Sequence, residues 1–121
     1  MIQKFGHIWV YIAGPYTQGD VAQNVRNAMV AADQIVEMGA VPYIAHLGHF
    51  WHMFTPRPYD WWLWYDMQFL RACDVLLRLP GPSDGADGEV DEAMRRGIPV
   101  ANSMDELKRI ILSEQWRRRS T

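Results

Sequence analysis

The residue types best suited to chemistry lie in one acidic segment, Ser83–Glu89. The apolar run Val75–Leu79 before it predicts a buried strand, and residues 89–96 after it predict a short helix that Gly97 ends. A strand, a glycine-bearing loop and a helix start form the usual ligand-binding edge of a parallel α/β sheet. We therefore expect the Glu89 carboxylate to point into a crevice at this edge, with little side-chain bulk around it.

A second carboxyl belongs to an aromatic-rich segment, residues 59–73, which predicts a helix. Leu63, Met67 and Leu70 share one face of that helix, and Asp66 falls on the same apolar face. An acid placed there is costly unless it is paired or used. Two carboxyls in one partly dry crevice would have pKa values pushed apart, as an acid and a nucleophile require. A satisfied structural acid at 66, and a plain acidic surface turn at 84–92, are the alternatives.

The hydrophobic pattern predicts four strands, at residues 8–13, 40–45, 74–79 and 98–101, alternating with helices. Asp20 is the expected N-cap of the first helix and Gly39 its end, and Ser103 is the expected N-cap of the last helix, 104–112. This order predicts an α/β fold, a small three-layer sandwich with a parallel four- to five-stranded sheet of the Rossmann or flavodoxin type. At 121 residues the chain is expected to form a single domain, 1–121.

Two further loops should meet the acidic segment at the same edge. Gly14, Pro15, Tyr16 and Thr17 follow the first strand, and glycine and hydroxyl groups before a helix suit a phosphate or a sugar hydroxyl. The segment 46–58 reads as a long loop, which is uncommon unless it covers something. His46, His49 and His52 in this loop have poor spacing for a metal site, so we expect pocket lining and no metal.

Three segments in this order resemble the nucleoside 2-deoxyribosyltransferase superfamily, which includes the deoxynucleoside 5′-monophosphate N-glycosidases. They are Tyr11–Thr17, Asp66 ahead of Cys73–Leu77, and Gly85–Val90. The resemblance runs from about residue 9 to residue 100. It implies covalent glycosyl transfer on a nucleotide or nucleoside, with no metal or organic cofactor.

By this resemblance Glu89 matches the family's nucleophile, and Asp66 matches the aspartate that contacts the base or orients the nucleophile. Tyr16 matches the first-loop aromatic residue near the nucleophile. The residues that we expect to bind the substrate are Gly14, Pro15, Thr17, His46, Gly85, Asp87 and Gly88.

The sequence leaves several alternatives open. The reaction could be hydrolysis or transfer to a second base, the substrate could be another ribosyl compound, or the chain could be a non-catalytic nucleotide-binding module. A monophosphate and a plain nucleoside are both possible, because the first loop offers only Thr17 and backbone donors to a phosphate. Arg57, Arg26, or Ser103 of a neighbouring subunit could supply the rest.

Composition sets the expected partners and compartment. A net charge of −2 and one basic run, residues 117–119, which we expect to be a solvated tail, argue against nucleic acid as a partner. The single cysteine, the lack of an apolar run long enough to span a bilayer and the absence of a signal-peptide pattern in residues 1–7 favour the cytoplasm. The density of tryptophans at 51, 61, 62 and 64 favours a homo-oligomer, a dimer or larger.

Overall fold

Four short strands form a parallel sheet: β1 (Trp9–Ala13), β2 (Val41–Ile44), β3 (Val75–Arg78) and β4 (Val100–Ala101). The sheet order is β2-β1-β3-β4, and each neighbouring pair is parallel. The structure, a computed structural model, describes residues 7–119. Residues 1–6 lie outside that range. They include most of the segment in which the sequence shows no signal-peptide pattern.

Helices cover both faces of the sheet. The five α-helices of the described chain are α1 (Val21–Glu37), α2 (Gly48–Phe54), α3 (Tyr59–Leu70), α4 (Asp84–Arg95) and α5 (Met104–Arg119). One core joins α1 and α5 to Val10 and Ile12 of β1, and a second core joins α3 and α4 to Tyr11 and Ala13 of the same strand. Alternate residues of β1 thus feed opposite cores, and the predicted three-layer α/β sandwich is confirmed. In the range 7–119, no helix has both the length and the apolar character to cross a bilayer.

The first helix has the predicted ends. The Asp20 side chain accepts a hydrogen bond of 3.1 Å from the backbone N–H of Gln23, as an N-cap does. Gly39 follows the helix with a φ of +81°, a conformation that glycine adopts without strain. Val25, Ala28 and Ile35 are buried on its inner face.

The segment 46–58 is mostly helical, so the prediction of a long loop there was wrong. A 3₁₀ turn covers Ala45–Leu47, and α2 follows it directly. A helix of seven residues spans barely two turns, too short for its apolar residues to form a recognisable periodic pattern.

The acidic segment is also helical, which corrects the expectation of a loop with a helix starting at Glu89. Helix α4 begins at Asp84, and the Ser83 hydroxyl caps it by accepting a 3.1 Å hydrogen bond from the N–H of Ala86. The cap and two acidic side chains in the first turn, Asp84 and Asp87, favour a helix start here. Together they outweigh the low helix propensity of Gly85 and Gly88.

The last helix is longer than predicted, and its basic end is not simply solvated. Arg118 forms a salt bridge of 2.9 Å with Asp74, which precedes β3. It also donates a 2.9 Å hydrogen bond to the carbonyl of His7. The end of α5 is therefore fixed beneath the amino ends of β1 and β3.

Gly14, which follows β1, and Gly88, which lies within α4, should respond oppositely to substitution by alanine. A Cβ at Gly14 would lie 2.9 Å from the Leu79 Cβ, whereas a Cβ at Gly88 would meet no atom within 4 Å. Gly14→Ala should destabilise the fold by about 1–3 kcal/mol through overpacking. Gly88→Ala should stabilise it by about 0.5–1 kcal/mol through higher helix propensity. Urea unfolding of both variants measures the difference, and an equal effect of the two substitutions would contradict it.

Candidate functional site

A cavity of about 750 Å³ opens where β1, β2 and β3 end. Most of the residues predicted to form the site line it: Gly14, Tyr16, Thr17, His46, Asp66, Gly85 and Glu89. They come from four separate parts of the chain, as the convergence of strand ends at one sheet edge requires.

Pro15, Asp87 and Gly88, also predicted to bind substrate, are not among the lining residues. Gly85 and Glu89 are four residues apart in α4 and so share the face that points to the cavity, while Asp87 and Gly88 lie on other faces. The Asp87 carboxylate instead pairs with Arg78 at 2.9 Å. Pro15 contributes its carbonyl oxygen, which accepts a 2.9 Å hydrogen bond from Nε2 of His46.

Glu89 sits deep in the cavity, against the hydroxyl of Tyr11 in the middle of the sheet. That hydroxyl donates a short hydrogen bond to Oε2 of Glu89. Burial raises the pKa of the Glu89 carboxyl to about 7, although the hydrogen bond from Tyr11 acts in the opposite direction. The negative charge of Asp66 adds to the increase. Near neutral pH this carboxyl can therefore hold or release a proton.

Asp66, on α3, has an environment similar to that of Glu89: a tyrosine hydroxyl donates to it, and burial raises its pKa. Its Oδ1 accepts a 3.1 Å hydrogen bond from the hydroxyl of Tyr43. Burial raises the pKa of the Asp66 carboxyl to about 7, partly offset by that hydrogen bond. Two interacting carboxyls of this kind titrate as a pair, and near neutrality one can be charged while the other is protonated.

The two tyrosines that hold these carboxyls were missed by the sequence reasoning. Tyr11 and Tyr43 are direct register partners in β1 and β2, and their rings stack at a centroid distance of 5.5 Å. Phe69 stacks on the outer side of Tyr43 at 4.4 Å. Burial raises the pKa of the Tyr11 hydroxyl well above its usual value, with a further contribution from Glu89, so it stays a donor. The sequence feature that could have revealed Tyr11 is a hydroxyl-bearing residue inside the otherwise apolar first strand, because a buried hydroxyl needs a hydrogen-bond partner.

Tyr16, His46 and His49 form another part of the cavity lining. The Tyr16 hydroxyl lies 2.8 Å from Nδ1 of His49. His46 is buried, and burial lowers the pKa of its imidazole, so the ring is neutral at physiological pH. Because Nε2 donates to Pro15, the lone pair of His46 is on Nδ1, which is buried and has no hydrogen-bond partner among residues 7–119. Within residues 7–119, no three His, Cys, Asp or Glu side chains are grouped as metal ligands.

The remaining wall is built around Arg57, in the short connection between α2 and α3. Its guanidinium carbon lies 4.5 Å from the ring centroid of Trp51 and 4.5 Å from that of Trp61. The Trp62 indole N–H donates a 2.8 Å hydrogen bond to Nδ1 of His52, which also accepts from the backbone N–H of Arg57. Arg57, His52 and Trp62 all line the cavity. Three of the four tryptophans noted in the sequence therefore pack around one arginine.

Residues 8–103 match the family described as "Domain of unknown function (DUF7768)". The chain belongs to this family. No curated protein matches the sequence. The family's matched range includes all four strands, α1 to α4 and every residue of the cavity lining.

Among solved structures, one of a 2-deoxyribosyltransferase from the psychrotolerant bacterium Bacillus psychrosaccharolyticus is similar to this DUF7768 chain. The TM-score is 0.58 at 14% sequence identity, over 79% of this chain and 75% of that chain. At this identity the similarity shows a common fold. The fold predicted from the sequence resemblance is thus found independently by comparison of the structures.

The buried Glu89 carboxyl should make the stability of the fold depend on pH. Its pKa is about 7 when folded and 4.5 in its ordinary state, so the folded chain binds the proton more tightly. Stability should therefore fall as pH rises through this interval, by an amount on the order of 2–3 kcal/mol from this group. Glu89→Gln, which cannot ionise, should raise the melting temperature at pH 8 and change it little at pH 4.

The matched control is Asp91→Asn, an exposed carboxyl on the same helix. Thermal unfolding of both variants at pH 4, 6 and 8 provides the measurement. A Glu89→Gln variant that is no more stabilised at pH 8 than at pH 4 would show that Glu89 is not a buried, ionising group.

Proposed function

We propose that this protein is an N-glycosidase that cleaves the bond between base and sugar in a nucleoside 5′-monophosphate or nucleoside. The observation that supports it most is the pair of carboxyls, Glu89 from α4 and Asp66 from α3, in one cavity. Each has a pKa raised by burial to about 7. Because the two carboxyls interact, one can be ionised as the nucleophile near neutral pH while the other keeps its proton as the acid.

In the first step an oxygen of ionised Glu89 forms a bond to the anomeric carbon of the sugar. The bond between that carbon and the base nitrogen breaks, and its electron pair leaves with the base. Protonated Asp66 gives its proton to the departing base, so the base leaves neutral and Asp66 becomes a carboxylate. The product on the enzyme is a glycosyl ester of Glu89.

In the second step water attacks the anomeric carbon, and the ester bond to Glu89 breaks. Asp66 takes the proton of the water, which restores both carboxyls to their starting states and releases the free sugar. The sequence parallels that of retaining glycosidases. Tyr11 supports both steps, because its hydroxyl can stabilise the Glu89 oxygen as an anion before attack and after release.

Transfer of the sugar to a second base is the alternative, and the fold shared with a 2-deoxyribosyltransferase favours it. The two reactions share the first step and differ in what takes the sugar from Glu89, water or a base. Gly14, Tyr16, Thr17, His46 and Gly85 lie where they could contact the sugar or the base during either reaction.

Release of free base is the primary test. The wild-type protein is incubated with the common nucleosides, their 5′-monophosphates and NAD, and free base is followed by chromatography. Glu89→Gln should reduce the rate by at least about a thousandfold, because no ester can form. Asp66→Asn should reduce it by about a hundredfold through loss of the proton donor. The pH–rate profile should be bell-shaped, since one carboxyl must be ionised and the other protonated.

Asp91→Asn serves as the control again, and circular dichroism checks that each variant is folded. Adding a second free base separates the two reactions, because a transferase forms a new nucleoside and a hydrolase does not. Tight nucleotide binding without base release under any condition would replace the proposal with a binding module. Undiminished release by Glu89→Gln would contradict the proposed nucleophile.

We also propose that the protein assembles with itself through the outer face of α2. Phe50, Met53 and Phe54 are exposed there, Phe54 by 87%, and exposed apolar clusters of this kind are typical of interfaces. Light scattering after gel filtration should show a dimer or larger, and Phe54→Ser should shift it toward the monomer. A wild-type protein that is monomeric at 100 µM concentration, roughly tenfold above typical weak-dimer constants, would contradict it.

A further inference from the structure

Among residues 7–119 the Arg57 side chain has no carboxylate partner, and its charge lies against the indole rings of Trp51, Trp61 and Trp62. Its buried Nη1 makes no hydrogen bond, and no described carboxylate lies within 4.0 Å of its guanidinium, whereas Arg78, Arg96 and Arg118 all form ion pairs. A guanidinium carries five N–H donors in a fixed plane. Leaving them unused beside a cavity is unfavourable unless something else accepts from them.

The surroundings of Arg57 hold it in position. Pro56 and Pro58 flank it and restrict its backbone, particularly through the effect of a proline on the preceding residue. Its guanidinium packs against the indoles of Trp51 and Trp61 at 4.5 Å each. Contact with aromatic faces fixes the plane of the group without using its N–H donors. A side chain held this way is preorganised to bind a planar or tetrahedral anion.

The other charged groups of the cavity explain why an anionic ligand would need the Arg57 guanidinium. The lining contains three carboxyls, those of Asp66, Asp84 and Glu89, and Arg57 is the only Lys or Arg among the described lining residues. An anionic substrate would be repelled unless this cation received it. His52 can assist, because its Nδ1 accepts hydrogen bonds, which leaves the ring proton on Nε2 as a further donor.

We propose that Arg57 binds the 5′-phosphate of the substrate, so that the protein acts on nucleoside 5′-monophosphates in preference to nucleosides. The choice of a phosphate rests on the proposed function, since a sugar with a phosphomonoester is the anion that this reaction would bring. The tryptophan-held guanidinium receives the phosphate oxygens as a bidentate pair. Glu89 and Asp66 remain at the anomeric carbon.

A binding measurement tests the phosphate role of Arg57 directly, because it does not depend on catalysis. The Glu89→Gln variant, which should not turn over substrate, is titrated by calorimetry with the four common deoxynucleosides and with their 5′-monophosphates. The monophosphates should bind at least about tenfold more tightly, as expected for a charge-assisted bidentate contact. Adding Arg57→Gln should abolish that difference and leave nucleoside binding within about twofold. Arg57→Lys should retain part of it, because lysine keeps the charge but not the fork.

Arg109→Gln, an exposed arginine on α5, is the matched control and should change neither affinity. Near-ultraviolet circular dichroism reports whether the tryptophan cluster survives each substitution. Ribose 5-phosphate and inorganic phosphate, added to the wild-type protein, should compete with the monophosphates for binding. This comparison needs no variant.

The outcomes separate the two proposals. Equal affinity of the wild-type site for nucleosides and monophosphates, or an equal loss of both in Arg57→Gln, overturns the phosphate role and makes Arg57 a packing residue. Base release from nucleosides and monophosphates alike, unchanged in Arg57→Gln, also overturns it while the glycosidase proposal stands. Arg57-dependent preference for monophosphates without any base release overturns the glycosidase proposal and leaves the phosphate site in place.

Discussion

The burial of two carboxyl groups against the sheet is the constraint on which the rest of the cavity depends. Neither Glu89 nor Asp66 has an arginine or lysine within salt-bridge distance among the described residues. Each instead meets a tyrosine hydroxyl from an adjacent strand. A hydroxyl partly offsets the cost of burial but does not force ionisation as a cation would. The protein thus keeps both groups close to the point where they change protonation state.

A glutamate one turn further along the same helix shows the contrast. Glu92 is buried with 7% exposure, yet Arg71, Arg95 and Arg96 surround it. The hydrogen bond from Arg96 is the main cause that lowers the pKa of Glu92. That cluster ties α4 to the end of α3 and stays charged. Glu89 and Glu92 therefore have pKa values shifted in opposite directions, because Glu89 is buried against a phenol whereas guanidinium groups face Glu92.

The four strands, the first helix and its two ends followed from the sequence, because the apolar runs and the Asp20 and Gly39 signals are local. The placement of Glu89 and Asp66 in one cavity also followed from the sequence, since both were predicted to lie on the helices that flank β3. The start of α4 did not follow from the sequence. The N-cap at Ser83 favours a helix there, whereas Gly85 and Gly88 disfavour it, and the two effects are similar in size. Tyr11 was missed as the partner of Glu89, because their contact joins distant parts of the chain and no local pattern encodes it. Arg57 was named only as one of several candidates for a phosphate, because its position among the tryptophans also depends on the folded chain.

The contact of Arg118 with Asp74 and with the carbonyl of His7 places both ends of the described chain at the amino edge of the sheet. The cavity opens at the opposite edge. A short peptide linking residue 119 back to residue 7 would thus close the backbone without touching the cavity. New termini could then be opened in a surface turn such as the one around Gly97. The fold is in this sense a natural candidate for circular permutation, with its cavity left intact.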